Sequence, residues 1–213
     1  MNCVAVITAK RFDRAKQRLA GAVEDDKKAA LVAAMLADVL TAVTESRMVG
    51  RTIVVTGEEA AADLARAAGA EVIEDPEDTG HSGAAMIGVE RAKELGANCV
   101  VLLPGDCPLL DPRELDHLVT GLPDPYVAIV PDRHGTGTNS LVLVPPDAIE
   151  PAFGEGSCER HQGIARKAGI AFGIEKLPTL ALDLDTPADI VALTTKLDLQ
   201  GGRAEHTARV LGI

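Results

Sequence analysis

The chain predicts a three-layer α/β protein built around a mostly parallel sheet, and three observations lead there. Short apolar runs rich in β-branched residues recur along its length. Segments with apolar residues at helical spacing separate most of them. The alternation breaks once, between Tyr126 and Pro145, where two strand-like runs flank a Gly/Thr-rich loop with no helix between them. Strands alternating with helices imply βαβ units with helices on both faces of a parallel sheet. The single break predicts a β-hairpin excursion, because only antiparallel strands can be joined by so short a connection.

In order, the strand-like runs are Cys3–Thr8, Thr52–Thr56, Glu71–Glu74, Cys99–Leu103, Val127–Val130, Leu141–Val144 and Ile170–Ile174. Each is too short for a helix and carries an apolar face suited to a sheet. Asp25–Val43 places Leu31, Met35, Leu36, Val39, Leu40 and Val43 at helical spacing, and Glu58–Ala68, Gly83–Leu95, Arg113–Val119 and Ala188–Leu197 also read as helices. The last stretch, GGRAEHTARVLGI, follows a Gly-Gly break and reads either as an appended helix or as an arm that contacts a partner. A length of 213 residues favours one domain, residues 1–213, with 201–213 as a C-terminal appendage.

Composition narrows the function. Aromatic residues make up 2% of the chain and Trp is absent, so no stacking platform for single-stranded nucleic acid is available. A net charge of −11 disfavours generic attraction to nucleic acid or to acidic membranes. Cys3, Cys99, Cys107 and Cys158 have no CxxC spacing, and neither a signal peptide nor an apolar run near 18 residues is evident. A reduced, cytoplasmic protein without nucleic-acid or membrane partners is expected. Oligomeric state stays open, a homodimer being one arrangement.

Four segments carry candidate chemistry. ITAKRFDRAKQRLAG follows the first strand and gathers Lys10, Arg11, Arg14, Lys16 and Arg18 against Asp13, a local charge of about +4. In an open α/β sheet this loop lies at the carboxyl edge, where ligands bind, so Lys10, Lys16 and Arg18 are candidates for neutralising a triphosphate. A solvated basic loop is the plain alternative. VVLLPGDCPLL ends a strand and presents Asp106, placed to hold a hard cation or to satisfy a turn. In LALDLDTPADI, Asp183 and Asp185 alternate, so on an extended segment they project to one side about 7 Å apart. Two carboxylates leaving an apolar strand need a partner or a metal, although one of them is also suited to a structural role before Thr186-Pro187 opens a helix.

FGEGSCERH places two glycines before Ser157 and a helical stretch after it, an arrangement that exposes backbone amides to phosphate or that makes Ser157 a simple N-cap. His161 fits either a phosphate donor or a satisfied helix residue, and His81, His117, His134 and His206 show no catalytic spacing. DRHGTGTNSLVLVPP, the loop of the hairpin, fits a turn or an anion cradle equally, with the Thr138 hydroxyl and the close backbone of Gly137 as the donors. No GxxxxGK[ST] and no GxGxxG follows the first strand, which disfavours a P-loop enzyme and a dinucleotide oxidoreductase.

Taken in order, AKRFDRAKQRL, PGDCPLL, PDRHGTGTNSLVL, FGEGSCERH and LDLDTPADI span nearly the whole chain and resemble the guanylyltransferases of coenzyme F-420 biosynthesis. That family is similar in turn to molybdenum-cofactor guanylyltransferases and sugar-phosphate nucleotidyltransferases. The resemblance implies a Rossmann-like, GT-A-type nucleotidyltransferase fold and transfer of GMP from GTP to a small phosphorylated acid: phosphoenolpyruvate, 2-phospho-L-lactate or 3-phosphoglycerate. It implies that Thr138, Gly154 and Ser157 hold the acid, and that Asp106 and Asp183, with Asp185 adjacent, bind Mg²⁺. Where the family usually has Pro, Thr and Asn, this chain has Thr8, Gln17 and, as the nearest equivalent, Ser82. A molybdopterin or sugar-phosphate nucleotidyltransferase and a non-catalytic nucleotide-binding module are the alternatives.

Overall fold

The computed structural model describes residues 2–12, 19, 23–200 and 203–213. Seven strands form one sheet: β1 (Cys3–Ala9), β2 (Val49–Thr56), β3 (Glu71–Glu74), β4 (Cys99–Pro104), β5 (Tyr126–Pro131), β6 (Thr138–Val144) and β7 (Ala171–Ile174), in the spatial order β3-β2-β1-β4-β6-β5-β7. β1 lies inside the sheet, parallel to β2 and β4, with Ala5 opposite Thr52 on one side and Val101 on the other. β6 is the strand that runs against its neighbours, pairing antiparallel with both β4 and β5. The expected hairpin is therefore present, formed by β5 and β6.

The alternation of side chains along each strand divides the core into two faces. Ala5, Ile7, Val101, Leu103, Val130 and Val142 point to one face, covered by α1 (Asp25–Glu45), α2 (Glu59–Ala67) and α4 (Pro112–Leu118). Val4, Val6, Val100, Leu102, Ile129 and Leu141 point to the other, covered by α3 (Gly80–Glu94) and α5 (Ser157–Ala168). Val4 through Ile7 are fully buried, each larger side chain contributing about 1.5–3 kcal/mol relative to exposure. The helices following β1 and β2 lie on the first face and the helix following β3 on the second. The winding thus reverses between β1 and β4.

A third cluster packs beside the sheet, where Leu31 and Met35 of α1 meet Leu182, Leu184, Leu193 and Ala204. It joins α6 (Pro187–Gln200) and α7 (Glu205–Leu211) to α1. Leu182 and Leu184 sit in an extended segment outside the sheet, not in the strand expected around Asp183. Its backbone is held by the Leu184 N–H, which donates to the Asp106 carbonyl at 3.2 Å. Strand ends also differ from the apolar runs: β6 begins at Thr138, because the buried polar residues Thr138, Asn139 and Ser140 continue the ladder. Among the described residues no helix is long and apolar enough to cross a membrane.

The N-cap position of α7 is Ala204, which has no side-chain acceptor. The cap comes instead from α1: the buried Asp38 carboxylate accepts from the backbone N–H groups of His206 (3.0 Å) and Thr207 (2.9 Å). Asp38→Ala should cost about 1–2 kcal/mol in urea denaturation, the usual cost of a lost cap, because it leaves the buried Thr207 amide and the half-buried His206 amide without an acceptor.

Candidate active site

Because the winding reverses between β1 and β4, no crossover covers the carboxyl ends of those two strands, and such a crevice is where open α/β sheets bind ligands. A cavity of about 790 Å³ opens there. Thr8, Ala9 and Lys10 reach it from the end of β1, and Pro104, Gly105 and Asp106 from the end of β4. The register Leu102 opposite Leu141 brings Thr138 and Asn139, the first residues of β6, beside the end of β4. The hairpin loop adds Asp132, Thr136 and Gly137, the start of α5 adds Gly154, Glu155 and Ser157, and the extended segment adds Asp183 and Asp185.

Lys10, Asp106, Thr138, Gly154, Ser157, Asp183 and Asp185 therefore line one cavity, although they come from segments spread over most of the chain. Lys16 and Arg18 lie outside the described residues. The alternation read for Asp-x-Asp holds without a strand: Leu182 and Leu184 are buried in the third cluster, and Asp183 and Asp185 face the cavity. The Asp183 carboxyl is pushed above its usual range, first by burial and then by the neighbouring charges of Asp106 and Asp185. Asn139 Nδ2 opposes this at 3.4 Å from Asp183 Oδ1 while donating to the Leu180 carbonyl at 2.8 Å. Among the described residues, no group of three or more His, Cys, Asp and Glu side chains is gathered to hold a metal ion.

Two expectations about backbone donors need correction. In the hairpin loop the N–H groups of His134 (3.1 Å), Thr136 (3.0 Å) and Gly137 (2.9 Å) all donate to the Asp132 carboxylate. The loop does cradle an anion, but the anion is its own. A Cβ on Gly137 would come within 2.7 Å of Asp132 Oδ2, so the absence of a side chain here lets the carboxylate fold in. At the start of α5, the Ser157 N–H donates to the Gly154 carbonyl and the Cys158 N–H to Thr136, both at 3.1 Å. Gly154 has φ +113°, a conformation only glycine adopts freely.

Two residues lining the same cavity carry buried hydroxyls, Thr138 and Ser157. The Ser157 hydroxyl is 1% exposed and has no hydrogen-bond partner among the described residues, a costly state for a buried polar atom unless a ligand completes it. It sits at the N-terminus of a 12-residue helix, whose dipole favours negative charge. The Thr138 hydroxyl, also buried, lies 3.0 Å from His161 Nδ1.

Four residues acquire roles the sequence reading did not give them. Asp189 is buried and its carboxylate accepts from the Asp185 N–H (3.1 Å), the Thr186 N–H (2.6 Å), the Thr186 hydroxyl (2.7 Å) and Arg133 (2.8 Å). It therefore ties the hairpin loop to the Asp-x-Asp segment, and the capping-box spacing from Thr186 was its signal in the sequence. Ser82 Oγ accepts from the Phe153 N–H at 2.9 Å, docking the start of α3 onto the FGEGS segment. His81 stacks on Phe153 with ring centroids 4.0 Å apart, and Phe153 meets His161 edge-on at 5.3 Å. Burial pushes both histidines down to about 4, with Lys10 lowering and Asp106 opposing at His81, and Arg160 and then His81 adding to the fall at His161. Both rings are neutral at physiological pH.

Comparison with known proteins gives a consistent picture. The family description "Guanylyl transferase CofC like" matches residues 3–211. A protein of Conexibacter woesei named phosphoenolpyruvate guanylyltransferase is 45% identical over 214 residues, covering 99% of this chain and 96% of that one. One of the same name from Sphaerobacter thermophilus is 38% identical over 193 residues, covering 91% and 93%. A 3-phospho-D-glycerate guanylyltransferase of Phenylobacterium zucineum is 36% identical over 200 residues, covering 92% and 89%. Among solved structures, a Desulfovibrio desulfuricans protein classed with the nucleotide-diphospho-sugar transferases superposes with a TM-score of 0.76 at 17% identity, covering 100% and 98% of the two chains. At that identity the likeness speaks for the fold.

The raised Asp183 carboxyl has a consequence for stability. A carboxyl whose folded pKa exceeds its unfolded value binds protons more tightly when folded, so its contribution to stability is lost as pH rises above the unfolded value near 3.8. At pH 7 and without ligands, Asp183→Asn should raise Tm, by about 2–4 °C for each kcal/mol of burial cost and repulsion relieved, and the gain should vanish below about pH 4. Thermal melts of the two proteins at pH 7 and pH 3.5 check this.

Proposed function

This chain belongs to the CofC-like guanylyl transferase family, and on that premise we propose that it transfers GMP from GTP to a small phosphorylated acid and releases pyrophosphate. Phosphoenolpyruvate is the first acceptor to consider, since the 45% and 38% identical relatives carry its name, with 3-phosphoglycerate and 2-phospho-L-lactate next. In the family that the sequence resembles, this reaction serves coenzyme F-420 biosynthesis. The observation that carries the reading is one cavity lined by Lys10, Asp106, Asp183, Asp185, Thr138 and Ser157, with the Ser157 hydroxyl buried and without a partner among the described residues.

In the proposed reaction an oxygen of the acid's phosphate attacks the α-phosphorus of GTP. The bond from that phosphorus to the β-bridging oxygen breaks, and pyrophosphate leaves with the electron pair. The attacking phosphate is ionised near neutral pH, so no general base is needed, and catalysis rests on positioning and charge. The Thr138 and Ser157 hydroxyls donate to the acid, and the positive end of α5 favours its charge. Lys10, at the head of the basic stretch, meets the nucleotide phosphates. The neutral rings of His81 and His161 add no competing charge.

Mg²⁺ belongs to the same proposal. Asp106, Asp183 and Asp185 offer only oxygen donors, and a cation would offset both the burial and the neighbouring charges that raise the Asp183 carboxyl. Such an ion is commonly held by one or two carboxylates together with substrate phosphates. When bound, it would offset the negative charge that builds on the phosphates. The cytoplasm is the proposed compartment, supported by GTP as co-substrate and by four free, buried cysteines.

Pyrophosphate release should be measured with GTP, Mg²⁺ and each of the three acids, and separately with a pterin phosphate or sugar phosphate. Release with an acid is the expected result, and release only with the sugar or pterin phosphate would sink the proposal. Asp106→Asn should lower kcat by about 10²-fold or more while leaving the melting curve cooperative. Thr138→Val should raise KM for the acid by roughly 10- to 100-fold, from the ~1.5–3 kcal/mol of a hydrogen bond to a charged group, with little change in KM for GTP.

A further inference from the structure

We propose that His161 is a positioning residue that fixes the Thr138 hydroxyl as a hydrogen-bond donor toward the anionic acceptor. The inference rests on the function proposed above and adds a residue and a role to it. His161 is wholly buried at the first turns of α5, and both of its ring nitrogens are engaged. Nε2 lies 2.9 Å from the Ala152 backbone N–H, which can only donate, so Nε2 accepts and carries no proton. In a neutral ring the proton must then be on Nδ1. Nδ1 lies 3.0 Å from Thr138 Oγ1, so the ring donates to the hydroxyl oxygen.

This chain of donors has one consequence at the cavity. A threonine hydroxyl has one proton and accepts through its oxygen; left to itself it rotates to suit either role. If it gave its proton to His161, it would turn lone pairs toward the ligand, and a phosphate or carboxylate there would be repelled. Because His161 donates to it, the Thr138 proton is left for the ligand, and the incoming bond polarises the hydroxyl into a better donor. The Ala152 amide thus sets the tautomer of His161, and His161 sets the direction of the hydroxyl. The edge-on contact with Phe153, itself stacked on His81, holds the ring in this plane.

Two substitutions separate the two ends of the ring. In His161→Gln the side-chain oxygen can take the place of Nε2 and keep the Ala152 N–H satisfied, but the donor to Thr138 is lost. In His161→Asn the amide nitrogen can take the place of Nδ1 and keep the donor. The expected result is a KM for phosphoenolpyruvate raised about tenfold in His161→Gln and restored to within about threefold of wild type in His161→Asn, with KM for GTP unchanged in both. Adding Thr138→Val to His161→Gln should raise the acid's KM no further than Thr138→Val alone, since the two act through one hydrogen bond. Equal losses in the two His161 variants, or additive losses in the double variant, would show a purely structural histidine and overturn the proposal.

The wild-type protein provides a test that needs no variant to fold. Long-range ¹H–¹⁵N spectra of ¹⁵N-histidine-labelled protein at pH 7 should show His161 protonated on Nδ1 and bare on Nε2. The opposite tautomer would overturn the inference whatever the kinetics show. Absence of pyrophosphate release from wild type with every phosphorylated acid would instead overturn the function on which the ligand role depends, and the ring spectrum would distinguish that failure from a wrong tautomer.

Discussion

The antiparallel pairing of β6 with β4, Val100 against Leu143 and Leu102 against Leu141, carries the start of β6 to the edge at which the parallel strands end. A parallel strand in this position would begin at the far edge and leave Thr138 remote from Asp106. With β6 reversed, the β5–β6 loop, the end of β1 and the end of β4 meet around one cavity. The strand tolerates this because its first residues are polar but satisfied: Ser140 donates to the Leu102 carbonyl at 2.8 Å and Asn139 to Leu180 at 2.8 Å. Buried polar groups so paired cost little, and they fix the register in a way apolar residues would not.

From that edge the carboxylates sort into two kinds. Asp132 and Asp189 are structural, each collecting backbone N–H groups, and Arg133 links them by pairing with Asp189 one residue after Asp132. The result is a brace between the hairpin loop and the segment that presents Asp183 and Asp185. Those two, with Asp106, line the cavity, where burial first and then the charges of Asp106 and Asp185 push the Asp183 carboxyl up. The structural carboxylates bind backbone, whereas Asp183 carries the cost of a buried charge with other carboxylates beside it.

The aromatic residues, scarce in this chain, follow the same division. Phe153 lies between His81 of α3 and His161 of α5 and fastens two helices of one face to the FGEGS segment. Ser82 adds a hydrogen bond from α3 to the same segment. Rigid supports of this kind hold the residues at the start of α5 in fixed positions.

The sequence by itself determined the order of strands and helices, the hairpin, and the candidate residues Lys10, Asp106, Thr138, Gly154, Ser157, Asp183 and Asp185, because apolar periodicity and turn residues are local properties that survive in one dimension. The alternation that put Asp183 and Asp185 on one side was equally legible, since Leu182 and Leu184 required burial wherever the segment lay. Tertiary structure alone decided which donors face the cavity. The glycines of GTGTN and FGEGS suggested free amides, but Asp132 takes those of Thr136 and Gly137, and the carbonyls of Gly154 and Thr136 take those of Ser157 and Cys158. Likewise the role of His161 depends on an amide nine residues before it and a threonine 23 residues before it. Hydrogen bonds are settled by what packing brings within 3 Å, and no spacing along the chain encodes that.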